Sequence, residues 1–82
     1  MTVFSYVYML EAHEWAGRHY VGLTDDLSAR LTAHNRGSVP ATRADRPWRV
    51  KTAVAFTDRQ RAAFFERYLK TALGRAFAKK HF

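Results

Sequence analysis

"HYVGLTDDLSARLTAHNRG" (residues 19–37) reads as the end of a strand, a turn and one complete helix. His19 to Leu23 is a short run of β-forming side chains. Thr24 or Asp25 can cap the helix, Leu27 and Leu31 recur at a spacing near 3.6, and Gly37 stops it. Arg30 and His34, four positions apart, therefore project side by side from one helix face, just after a strand that carries Tyr20.

The segments on either side complete the fold. "VFSYVYML" (residues 3–10) is dense in β-branched and aromatic residues, and "EAHEWAG" (11–17) supplies a loop with Gly17, so the chain opens with a β-hairpin. "SVPATRADRPW" (38–48) holds Pro40 and Pro47 and no apolar periodicity, which makes it a loop, and a loop of that length in a small domain is more often functional than not. "RVKTAVAF" (49–56) alternates as a third strand. "TDRQRAAFFERYLKTALG" (57–74) carries a capping box in Thr57 and Gln60, with Gly74 as its terminating residue. "RAFAKKHF" (75–82) is expected to form a last short helix with a basic tail. The order is ββαβαα, an α+β fold with a small three-stranded, mostly antiparallel sheet flanked by helices. The 82 residues are too few for two cores, so residues 1–82 are read as a single domain.

Apolar residues make up 48% and aromatics 15% of the chain, which supports a packed core rather than disorder. There is no cysteine, which excludes disulfide staples and thiolate metal sites and fits a reducing compartment. "MTVFSYVYML" lacks a basic leader and is far shorter than the ~20 residues of a membrane span, so a cytoplasmic protein without membrane contact is expected. Fourteen Lys and Arg against seven Asp and Glu give a net charge of +7. Such an excess on a small domain suggests a polyanionic partner, because each neutralised phosphate releases condensed counterions. No acid follows Glu66. Arg36, Arg43 and Arg46 around the loop, and Lys70, Arg75, Lys79 and Lys80 after Glu66, are the expected contacts to nucleic-acid phosphates.

Three groups of side chains could do chemistry. Ala62, Phe65, Leu69 and Leu73 form the apolar stripe of the long helix, and Glu66 falls within or beside it. A carboxylate there either pairs with Lys70 one turn on or holds a hard cation such as Mg²⁺. Arg30 and His34 are either a solvated helix face or a guanidinium and imidazole set beside a phosphoryl group. Tyr8 and Tyr20 are either core residues or phenols whose phenolate form positive neighbours favour, fit to act as a general base.

Taken in order, Tyr6-Val7-Tyr8, Tyr20-Val21-Gly22, Arg30, His34 and Glu66 resemble the GIY-YIG nuclease domain in its small standalone form, similar to the N-terminal nuclease module of bacterial excision-repair endonucleases. "HNRG", "RPW" and "FERYLK" also resemble the family's connecting segments, so the likeness runs from Val3 to Phe82. Tyr6 stands in place of the first tripeptide's glycine, Val7 and Val21 in place of isoleucines, and Leu23 where some members carry a lysine. No asparagine follows Glu66, where several members have one. The resemblance implies a DNA endonuclease dependent on one Mg²⁺ (or Mn²⁺) ion held by Glu66. It also implies that Tyr20, with Tyr8 or His34 assisting, deprotonates the attacking water, and that Arg30 stabilises the transition state. Poor sequence specificity is expected, with branched or flapped DNA preferred. The alternatives from other classes are a non-cleaving nucleic-acid binding module and a docking subunit of a larger repair or mobile-element protein.

Overall fold

The computed structural model describes residues 3–82; Met1 and Thr2, part of the opening stretch weighed above as a leader or membrane span, lie outside the described residues. The chain runs β1 (Ser5–Ala12), β2 (His19–Thr24), α1 (Leu27–Arg36), a 3₁₀ turn (Arg43–Asp45), β3 (Trp48–Phe56), α2 (Arg59–Leu69) and α3 (Ala72–His81). This is the expected ββαβαα order, with the expected loop tightened at its centre by the 3₁₀ turn. β1 is central in a sheet of order β2-β1-β3, and both of its pairings are antiparallel.

Alternation along β1 divides the core between the two faces of the sheet. Val7 and Met9 point to α2 and α3, where Phe56, Phe65, Tyr68 and Phe77 close round them. Tyr8, Leu10 and Ala12 point the other way, to Trp48, Tyr20, Leu27 and Leu31. Opposite Met9 and Leu10 the ladder to β3 skips Lys51, because Met9 pairs with Thr52 and Leu10 with Val50. One extra residue on β3 is thus bulged out of the ladder.

Both helix starts lie slightly further along than the sequence suggests. The N-cap of α1 is Asp26, whose carboxylate accepts from the Ala29 backbone N–H at 3.0 Å, while Thr24 Oγ1 takes the Asp26 N–H. The N-cap of α2 is Asp58, not Thr57, and its carboxylate accepts from the Gln60 and Arg61 N–H groups. An ionised carboxylate matches the positive end of the helix better than a hydroxyl does, and aspartate is available at both places.

The larger correction concerns residues 57–74, which do not form one helix. α2 ends at Leu69, and Thr71 caps a new helix by donating to the Tyr68 carbonyl at 2.6 Å and accepting the Gly74 N–H at 3.1 Å. Leu73, expected on the buried stripe, is consequently turned out to solvent, whereas Ala62 and Leu69 are buried and Phe65 is partly so. Gly74 is not a terminator but a point of close approach: a Cβ there would run into the Tyr68 carbonyl at the α2–α3 corner. Threonine is acceptable mid-helix by pattern, yet its hydroxyl can take over local backbone groups and start a new helix.

Candidate active site

The two tyrosine-bearing tripeptides lie side by side in the sheet, with Tyr8 on β1 directly opposite Gly22 on β2. A Cβ at Gly22 would fall inside the Tyr8 phenol, so the glycine makes the space in which the ring lies. α1 crosses this face and presents Arg30 and His34 to it. The structure brings Tyr8, Tyr20, Arg30 and His34 into one cluster. The Tyr8 hydroxyl is 2.9 Å from His34 Nε2, Arg30 Nε donates to it at 3.4 Å, and the Tyr20 ring meets His34 edge-on with centroids 5.0 Å apart.

His34 is fully buried and Tyr8 is 1% exposed, so every polar atom here must find a partner within the protein. His34 Nδ1 lies 2.7 Å from Thr42 Oγ1, and the Thr42 hydroxyl reaches the Val39 carbonyl at 3.4 Å. The direction of the chain follows from its ends. Arg30 can only donate, which leaves His34 Nε2 as the acceptor for the Tyr8 proton. Nδ1 must then carry the imidazole proton and donate to Thr42, which donates in turn to Val39. The Tyr8 proton is thereby directed at a neutral imidazole.

The electrostatics agree on that state. Burial lowers the pKa of His34 from its ordinary 6.5, and the positive charge of Arg30 adds to the effect. Burial also raises the Tyr8 pKa above its ordinary 10.0. The hydrogen bond and charge of Arg30 oppose that rise without reversing it, and Tyr20 and Glu66 reinforce it. For Tyr8 this corrects the expectation that positive neighbours favour the phenolate: desolvation outweighs the single guanidinium. Arg30 itself is held more firmly protonated by its hydrogen bond to Tyr8.

Thr42 was not singled out in the sequence, and neither were the residues that fix it. Asn35 holds the backbone of Trp48 by two bonds, from its amide nitrogen to the Trp48 carbonyl at 2.9 Å and from the Trp48 N–H to its carbonyl oxygen at 2.6 Å. The Trp48 indole N–H then donates to the Thr42 carbonyl at 2.8 Å. The stretch that looks like an open polar loop is thus tied to α1 and to the start of β3. Its length is the one signal in the sequence that points to it.

Glu66 approaches from the α2 side, with its side chain 18% exposed and Oε2 2.6 Å from Lys70 Nζ. The Lys70 pairing considered from the spacing is therefore present, and the carboxylate is also near enough to Tyr8 to act on its pKa. Among the described residues no group of three or more His, Asp or Glu side chains could hold a metal by itself. One half-buried carboxylate fits an ion that takes one or two protein carboxylates and completes its shell with waters and substrate phosphate, as Mg²⁺ does.

The expected phosphate contacts fall into two exposed groups. Arg36, Arg43 and Arg46 lie on α1 and the loop after it, with the Arg46 guanidinium over Gly37. Lys70, Arg75 and Lys79 border a cleft of about 690 Å³ between the sheet and α3. Lys80 is exposed on α3 and does not line it.

A three-stranded antiparallel sheet with helices on both faces, and a phenol–imidazole–guanidinium cluster against its central strand, define a small α+β domain whose polar centre is suited to phosphate chemistry. The family model of the GIY-YIG catalytic domain matches residues 4–80, and the chain belongs to the GIY-YIG family, which implies nuclease activity in general. The chain is similar to a "UPF0213 protein" of Streptococcus pneumoniae serotype 4, 36% identical over 67 residues. The match covers 80% of this chain and 66% of that relative. No solved structure matches the chain significantly. No helix among the described residues is long and apolar enough to cross a membrane.

Proposed function

We propose that this chain is an endonuclease that hydrolyses DNA phosphodiester bonds at the cluster of Tyr8, Tyr20, Arg30 and His34, with Glu66 as metal ligand. The observation that carries this reading is the convergence of the four side chains from two strands and a helix onto one point. In the reaction, Tyr20 serves as the general base that takes the proton of the attacking water, whose oxygen forms a new bond to phosphorus while the bond to the leaving oxygen breaks and that oxygen takes a proton from solvent. Arg30 neutralises charge building on the non-bridging oxygens. Tyr8 accepts from Arg30 and donates its hydrogen bond to neutral His34, which holds the guanidinium and the phenol in place. A divalent ion bound at Glu66, Mg²⁺ or Mn²⁺, would supply Lewis-acid charge to a phosphate oxygen. Contacts to phosphate rather than to bases dominate binding, so one sequence is cut much like another and affinity falls steeply with salt.

The Glu66–Lys70 ion pair favours a second reading, a nucleic-acid binding module that does not cut. Glu66→Gln separates the two. Linear, nicked, flapped and branched DNA are incubated with wild type and variant, in Mg²⁺ and in EDTA. Hydrolysis that needs both Mg²⁺ and Glu66, with DNA affinity retained in the variant, supports the nuclease. Binding without cutting by the wild type supports the module. If Glu66 serves only Lys70, the substitution costs a few tenths of a kcal/mol in stability and leaves cutting unchanged.

A further inference from the structure

The cleft between the sheet and α3 has a composition that the candidate active site does not explain. Its floor is apolar, made by Met9, Val21, Leu69 and Ala78. Its rim carries Lys51, Lys70, Arg75 and Lys79, with His19 at one end, and no acidic side chain lines it. Lys51 is the residue that the β3 bulge leaves out of the ladder. Its side chain is exposed between Val50 and Thr52 and lines the cleft. The cleft opens on the α2/α3 face, across the sheet from the phenol–imidazole cluster, and it shares two residues with the candidate site: Tyr20 lines it while packing on His34, and Lys70 lines it while pairing with Glu66.

We infer that this cleft seats an unpaired nucleic-acid strand adjoining the bond to be cut. The inference rests on the nuclease reading for the position of that bond, and on the cleft alone for its occupant. A volume of about 690 Å³ is within the range of pockets that enclose small organic groups. Bases held in a duplex are stacked and paired, so they cannot turn onto the floor while their phosphates stay at the rim. An unpaired nucleotide can do both: its base covers Met9 and Val21 while Lys51, Arg75 and Lys79 follow its phosphates. Such a combination of cationic groove and flat apolar surface is what single-strand binding requires. The selectivity that results is for structure, namely a duplex bearing a single-stranded tail.

The test measures binding by fluorescence anisotropy in EDTA, where no Mg²⁺-dependent cutting occurs. The probes are a labelled oligothymidylate, an abasic strand of equal length, a blunt duplex and the same duplex with a single-stranded tail. Wild type is compared with Lys51→Glu and Arg75→Glu, each checked for an unchanged Tm. Each substitution is expected to weaken binding of the oligothymidylate and the tailed duplex at least about tenfold, and of the blunt duplex less than about threefold. The abasic strand is expected to bind wild type several-fold more weakly than the oligothymidylate, because it keeps the rim and loses the floor. Equal losses on tailed and blunt duplex, no loss at all, or an abasic strand that binds as well would each overturn the inference. So would displacement of the oligothymidylate by inorganic phosphate or by an acidic peptide at matching charge concentration. Single-strand binding that is sensitive to Lys51, in a protein that cuts nothing with Mg²⁺, would uphold the cleft and remove the nuclease.

Discussion

On the α2/α3 face of the sheet, Val7 and Met9 meet rings: Phe65 lies 5.6 Å from Phe56 and 6.2 Å from Phe77 by centroid. On the α1 face the same strand, one residue out of phase, puts Tyr8 against His34 and Thr42, and those two are buried as deeply as any apolar residue of the protein. The first face is stabilised by area removed from water and has geometric demands only where backbones touch, as at Gly74. The second gives up apolar contact for a chain of hydrogen bonds, which holds only if every member is satisfied. Among the described residues no buried side-chain nitrogen or oxygen lacks a partner. In a domain this small, a buried polar chain costs stability that the opposite face must offset, and this cost is a further ground for proposing the α1 face as the functional one.

The strongest way to break the comparison is at the tight contact between α2 and α3 on the apolar face. Gly74→Ala forces a methyl into the Tyr68 carbonyl and must displace α3 from α2, at a cost of about 3 kcal/mol. A Tm lowered by on the order of 15 °C is expected for a domain of this size. An unchanged Tm would mean that the α2–α3 corner is looser than described.

On the polar face, Thr42→Val keeps the shape and removes the acceptor of the His34 Nδ1 proton. It is expected to cost about 2 kcal/mol, because the buried Nδ1 proton is left without an acceptor, and to move the Nδ1 ¹⁵N shift. A variant with wild-type stability and wild-type shifts would mean that the proton runs the other way.

A smaller effect comes from pH. The folded pKa of His34 lies below its ordinary 6.5, so on acidification the unfolded chain takes up this proton first. The stability linked to His34 is complete above about pH 6.5 and is lost as pH falls through the lowered folded value. Tm should decline across that window in wild type, and His34→Gln, already less stable, should lack this part of the slope. The same slope in both proteins would assign the proton elsewhere.

The sequence makes one face of this molecule easier to read than the other. Strand order, the α1 stripe and the pairing of two tyrosine strands follow from periodicity and from residues 19–37, and the family resemblance rests on side chains that the fold does bring together. What escaped depends on choices between near neighbours. Asp26 and Asp58 each sit one place beyond an adequate cap, and Thr71 stops a helix whose apolar spacing continues unbroken to Leu73. Thr42 escaped because no local pattern requires it, since its role exists only once Asn35 and Trp48 have folded the loop onto α1. The Tyr8 pKa went the wrong way for a related reason: charge can be read from residue types, whereas burial cannot.

The central claim, that the α1 face is catalytic, is tested most directly by Tyr20→Phe. The substitution removes one hydroxyl from a ring whose packing against His34 and Tyr8 is otherwise unchanged. Single-turnover hydrolysis of a flapped DNA in Mg²⁺ is measured beside Tm and DNA affinity on the same preparation. The account predicts wild-type folding and binding, with hydrolysis slowed by on the order of a hundredfold or more. Hydrolysis at the wild-type rate would contradict it and return the tyrosine to the core.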